Sequence, residues 1–167
     1  MQTVKRHFFA MRNGIVADTL RRAGSPYHII FGLNLPQLAE IASLTPHTVE
    51  LSDALHANSS TRCSCLMAPM IHPHADMSHE KALRWMSEAL CTEETDVLCH
   101  RLLRHLPYAC DVANEALAGE DRRLVYGGLR LIANLRSTGA DVPLPDMAQY
   151  IASPFAEIAS LARMLSE

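Results

Sequence analysis

The sequence reads as an all-α protein built of stacked helical hairpins, on three observations. Apolar residues recur at intervals of three and four along most of the chain, the spacing of one helix face. Strict alternation, the mark of a half-buried strand, occurs only around Tyr27-His28-Ile29-Ile30 and stops there. The helices also fall into pairs, whose second members begin near Ser59, Glu93, Glu120 and Pro154, about 27 to 34 residues apart. A recurrence of that size marks hairpins that bury their apolar faces against one another.

The elements follow in order. A first helix is expected from about Val4 to Arg22, closed by Gly24-Ser25-Pro26. Pro36 to Leu44 carries proline in its first turn and is stopped before Pro46. His47 to His56 and Ser59 to Ile71 make the next pair, ended by His72-Pro73. Ser78 to Cys91, Glu93 to Leu106, Tyr108 to Leu117 and Glu120 to Arg136 come next. A linker from Gly139 to Pro145 leads to Asp146–Ala152 and Pro154–Leu165. The tetratricopeptide pattern of tryptophan, glycine and tyrosine does not fit around Trp85. HEAT-like repeats do, with a polar first turn and a wide aliphatic stripe in each second helix. The fold expected is a HEAT-like solenoid forming one domain over residues 1–167.

Composition narrows the function. Half of the residues are apolar, enough for a core without covalent staples. Trp85 is the only tryptophan, beside four tyrosines and four phenylalanines, which is poor material for a face that stacks nucleobases. The net charge of −3 also works mildly against nucleic-acid binding, although the local field decides. Lys5 and Lys81 are the only lysines among fifteen basic residues, so fixed, planar guanidinium donors predominate. Five cysteines with no secretory leader suit a reduced, cytoplasmic protein, and no apolar run approaches membrane-spanning length.

The stretch EDRRLVYGGLRLIANL, Glu120 to Leu135, holds two adjacent glycines inside a helical pattern. That pair costs the helix roughly 2 kcal/mol against alanine, so packing must offset it. The expected role is close approach of a neighbouring backbone to Gly127-Gly128. On the same helix Arg122, Tyr126, Arg130 and Asn134 are spaced by four, with Arg123 beside them. On the helix from Glu93 to Leu106, Asp96, His100 and Arg104 form a similar line, flanked by Arg101. Two readings stand together: solvated faces with local ion pairs, or a groove whose arginines hold an anionic partner. Asp96 likewise reads either as a carboxylate near a positive helix end or as a group facing a ligand.

FGLNLPQLAEIA, Phe31 to Ala42, opens with an aromatic-Gly-aliphatic-x-x-Pro pattern running into a short helix. With HEKALRWMSEAL, TDVLCHRLLRHL and EDRRLVYGGLRLIANL further on, it resembles the HEAT-like-repeat DNA alkylation-repair glycosylases, the AlkD family. The resemblance runs from about Met11 to Leu165. It implies an all-α superhelix whose concave face holds duplex DNA and from which N3- or N7-alkylated purines are removed. A cationic alkylpurine leaves readily, so a carboxylate that steadies the sugar cation and aromatic faces that attract the base suffice. Carried over, the catalytic carboxylate falls on Asp96. The tryptophan four positions earlier falls on Thr92, the arginine of the next repeat on Tyr126, and a second tryptophan near Leu161 or Ala162. Only the aspartate matches, which implies DNA binding with lost or altered glycosylase chemistry. Arg62, His100, Arg101, Arg104, Arg122, Arg123, Tyr126 and Arg130 are the DNA-contact candidates.

The rival function is a protein-interaction scaffold, because solenoids offer extended surfaces to peptides. No cofactor is called for, since phosphate-binding glycine loops and hydrolase elbows are missing from the sequence. Cys63 and Cys65 would point about 200° apart on a helix and so do not chelate one ion. His72, His74, Asp76 and His79 read as a solvated turn rather than a metal site. Cys99 beside His100, and Cys110 beside Asp111, read as packing cysteines, since sequence neighbours on a helix do not face each other. Trp85 reads as core among Leu83, Met86 and Leu90.

Overall fold

The computed structural model describes residues Met1–Glu167 and is helical, with eleven α-helices and no extended strand. The chain divides into two compact units, Met1–Asp76 and Met77–Glu167. No helix is long and apolar enough to cross a membrane.

The first unit holds α1 (Gln2–Ala10), α2 (Gly14–Arg22), α3 (Leu35–Ser43), α4 (Val49–His56) and α5 (Arg62–Ile71). The single helix expected from Val4 to Arg22 is therefore two. Asn13 interrupts it: its side chain accepts from Val16 N at 3.2 Å, which starts a new helix, and its own N–H donates to Phe31 O at 2.8 Å. That second bond draws the start of α2 onto Gly32. There φ is +78°, and a Cβ would collide with the Asn13 carbonyl and with Ala17 N, so only glycine fits. Two residues later Asn34 and Gln37 cap each other reciprocally, at 2.9 and 3.0 Å, with Pro36 in the first turn of α3.

The brief alternation at Tyr27–Ile30 has a consequence after all. Ile29 forms an isolated parallel bridge with Thr61, donating to Ser60 O at 2.8 Å and accepting from Arg62 N at 3.1 Å. Ser59 and Ser60 lie in a turn closed by Thr61 N donating to Asn58 O at 3.0 Å, and Thr61 itself is extended at the bridge, so α5 begins at Arg62 rather than at Ser59. Arg62 itself is buried, 4% exposed, and donates to Leu33 O at 2.8 Å.

The second unit holds α6 (His79–Glu88), α7 (Thr92–Arg101), α8 (Ala109–Leu117), α9 (Arg122–Ser137), α10 (Met147–Ile151) and α11 (Ala156–Ser166). The apolar stripe of α7 and the turn after it is buried as expected, with Val97, Leu98, Cys99, Leu102, Leu103 and Leu106 all inside. Trp85 is core, 3% exposed. On α9, Val125, Tyr126 and Leu129 pack with Tyr150 of α10 and with Ile158, Leu161 and Ala162 of α11. The glycine pair is a packing device, although its neighbours are mostly side chains. A Cβ on Gly127 would overlap the Met86 thioether of α6. One on Gly128 would lie 2.7 Å from Leu117 Cγ and 2.9 Å from the Ala113 carbonyl of α8. Cys99 Sγ approaches Gly127 O at 3.6 Å. Two small residues thus let α6, α7 and α8 all close on one turn of α9.

Candidate nucleic-acid interface

Helices α7 and α9 lie side by side, and their polar lines meet. Asp96 of α7 carries the contact: its Oδ1 lies 2.7 Å from Arg130 Nε and accepts the Tyr126 hydroxyl at 2.8 Å. Arg130 Nη2 donates to Tyr126 Oη at 3.1 Å and reaches Asp96 Oδ2 at 3.4 Å. The guanidinium thus approaches both carboxylate oxygens, its Nε by charge contact without an aligned hydrogen bond and its Nη2 through the long one, while the phenol donates from the side. Asp96 does not cap its helix. The N-cap of α7 is Cys91, with no side-chain bond to the first turn, and Glu94 accepts from Leu90 N, just before the cap, at 3.0 Å.

The electrostatics follow from half-burial. Burial, with the Asp96 charge and hydrogen bond adding to it, pushes the Tyr126 phenol up to about 12 against the opposing Arg130 hydrogen bond. For Arg130, burial disfavours the cation, but the Tyr126 bond and the Asp96 charge outweigh it and raise its pKa. Beneath them, burial drives the Cys99 thiol far up, with Asp96 contributing, so it is no nucleophile. Burial, then Arg104 and Arg101, lower His100 below its ordinary 6.5.

The remaining candidates separate. Arg104 leaves the Asp96–His100 line, because Leu102 departs from helical geometry and the chain tightens into a 3-10 turn over Leu103–His105. There its Nε lies 3.3 Å from His105 Nε2. His100 and Arg101 are exposed on the last turn of α7. Arg122 pairs with Glu157 of α11, and its guanidinium lies 4.5 Å from the Phe155 ring centroid. The hydrogen bond from Arg122 holds the Glu157 carboxyl below its usual range. Arg123 Nη1 donates to Ser87 O of α6 at 2.9 Å. Arg62 lies in the first unit and is enclosed there, so it presents no donor to a phosphate.

A cleft of about 190 Å³ opens beside the Asp96 network, lined by Leu90, Cys91, Thr92, Thr95, Arg122, Arg123, Tyr126 and Glu157. Its lining sets threonine hydroxyls, two guanidiniums, a phenol and one carboxylate beside the apolar Ala89, Leu90 and Cys91. Phe155 and Glu157 were missed from sequence. The signal was the repeat period itself, which sets the start of α11 beside that of α9. No three His, Cys, Asp or Glu side chains gather in a way that would hold a metal ion. The CSC cysteines, Cys63 and Cys65, are both buried free thiols.

No protein-family model and no curated protein matches the sequence. Among solved structures, the chain is similar to a protein of a new family related to the HEAT-like repeat DNA glycosylases with affinity for branched DNA structures. The likeness covers 96% of this chain and 72% of the other, with a TM-score of 0.82 and 20% sequence identity. Architecture survives at such identity where chemistry need not. The chain has the all-α, HEAT-like repeat fold.

Proposed function

We propose that this protein binds DNA in the manner of the alkylation-repair proteins, with glycosylase chemistry lost or altered. The observation that carries the reading is the state of Asp96. A carboxylate that stabilises a sugar cation must face the sugar, yet here Arg130 and Tyr126 occupy it from the same unit. Thr92 stands where an aromatic face would attract a cationic base, and a threonine offers none. Asp96 then orders Arg130 instead of serving a lesion. The exposed cations Arg101, Arg122 and Arg123 are the phosphate donors on this face, with His100 beside them. Affinity for branched DNA in the structural neighbour supports DNA as the partner. Five free thiols suit a reducing compartment, and the cytoplasm is the location assigned.

One observation favours the rival reading, a scaffold for a protein partner. Residues 77–167 carry nine cations against thirteen carboxylates, an acidic balance. Fluorescence anisotropy with a labelled four-way junction, a duplex and a single strand separates the two. The DNA reading expects binding that weakens steeply with salt. It also expects no release of 7-methylguanine or 3-methyladenine above background, from the wild type or from Asp96→Asn. Absence of binding at low salt ends the DNA reading and leaves the scaffold.

A further inference from the structure

The chain's charge is unevenly distributed, and the cations richest in free donors lie outside the face described above. Residues 1–22 contain Lys5, Arg6, Arg12, Arg21 and Arg22 with a single carboxylate, Asp18. That carboxylate pairs with Arg21 at 2.7 Å, leaving four cations with no acidic partner. All four are exposed. On α1, Val4 and Phe8 turn inward, which sets Lys5, Arg6 and the exposed Phe9 on the opposite face. On α2, Ala17 turns inward, and Ile15, Thr19 and Arg22 share the outward side.

The link between the helices is shaped as well as charged. Arg12 Nη1 donates to Phe9 O at 2.9 Å while the guanidinium lies 3.9 Å from the Phe9 ring centroid. One of five donors is used, and the rest are held in a fixed plane. Arg12 and Arg21 flank an open cleft of about 510 Å³, floored by Gly14, Ala17, Ile30 and Phe31. The acid nearest in sequence on a neighbouring helix, Glu40 of α3, lines a separate small groove with His7 and Leu44.

We propose that the outward face of α1 and α2 is a contact surface for the sugar–phosphate backbone of DNA, with Lys5, Arg6, Arg12 and Arg22 as its cations. The inference rests on the DNA-binding reading and adds a second place of contact to it. Charge complementarity selects the occupant. A polyanion with regularly spaced phosphates satisfies four unpartnered cations spread over two helices and their link. A lipid surface fits less well, because Phe9, Ile15 and Val16 are the only large apolar side chains exposed on the two helices, while Val4 and Phe8, which would extend them into a stripe, point into the core.

The test compares the salt dependence of junction binding by the wild type, by Lys5→Ala/Arg6→Ala/Arg22→Ala, by Arg12→Ala, and by a control, Arg84→Ala/Arg163→Ala. Thermal melts confirm that each is folded. Loss of three phosphate contacts makes the slope of log K against log salt shallower by about 2.7, with affinity down about tenfold or more at moderate salt. Arg12→Ala gives a smaller change in the same sense, and the control keeps the wild-type slope. A triple variant with the wild-type slope overturns this surface while leaving DNA binding intact. A control that changes as much as the triple variant overturns it too, since net charge alone then explains the effect. Wild-type protein that binds no junction at all removes the underlying reading instead. Phosphatidylserine vesicles that retain the wild type and release the triple variant, with junction binding unaltered, assign the face to membranes and overturn the proposal.

Discussion

Asp96 on α7 and Arg130 on α9 form an ion pair at 2.7 Å, and the same carboxylate oxygen accepts the Tyr126 hydroxyl. The three side chains join two neighbouring repeats through polar atoms at the edge of an apolar core. Removing the acid leaves a half-buried guanidinium and a buried phenol without their acceptor. Asp96→Ala is expected to lower stability by about 1–2 kcal/mol, less than a fully enclosed pair costs, because water still reaches both partners. Urea denaturation measures it, and an unchanged midpoint would mean that the pair contributes nothing.

Tyr126 gives the same network a signature in alkali. Its pKa rises from 10.0 to about 12 in the folded state, so the neutral phenol is favoured by folding. That contribution is complete below about pH 10 and is lost as pH climbs through about 12, at roughly 1.4 kcal/mol per unit between them. Tyr126→Phe removes the titrating group. The decline of melting temperature between about pH 10 and 12 is expected to be shallower in the variant than in the wild type.

The two glycines of α9 are predicted to respond differently to a methyl group. Gly127→Ala meets a flexible thioether, so the cost of about 1–3 kcal/mol shrinks in a Met86→Ala background. Gly128→Ala meets the Ala113 carbonyl, which cannot step aside, and the same background gives no relief. A double-mutant cycle in denaturant resolves the two cases.

Freeing Arg122 tests the interface directly. Glu157 occupies its guanidinium, so Glu157→Gln exposes an additional uncompensated cation beside the cleft. Junction affinity is expected to rise severalfold at low salt, while stability falls by less than about 1 kcal/mol, as for other exposed pairs. Affinity that stays level would place this cleft outside the contact surface.

Much of this arrangement was legible in the residues, for reasons that differ by element. The burial of Val97, Leu98, Leu129 and Trp85 followed from helical periodicity, a local property. The meeting of Asp96 with the α9 line followed from the repeat, which sets second helices side by side. The break at Asn13 was hidden because the apolar spacing continues across it. Only the Asn-Gly pair marked a new cap, and its partner, Phe31 O, lies far along the chain. Arg104 was misplaced because a four-residue line assumes an unbroken helix, and the turn at Leu102–His105 tightens instead. The engagement of Arg122 depended on Glu157, about 35 residues away, beyond the reach of any local pattern.

The Ile29–Thr61 bridge gives α3 and α4 a shared fate. Two backbone bonds at Ile29 and the Arg62–Leu33 bond fasten both ends of one long excursion of the chain, so its helices form a closed ring. Such a ring opens as a whole. The amide protons of Ile29 and Arg62, though they belong to no sheet, should therefore exchange with solvent slowly and in step, reporting the release of that entire segment.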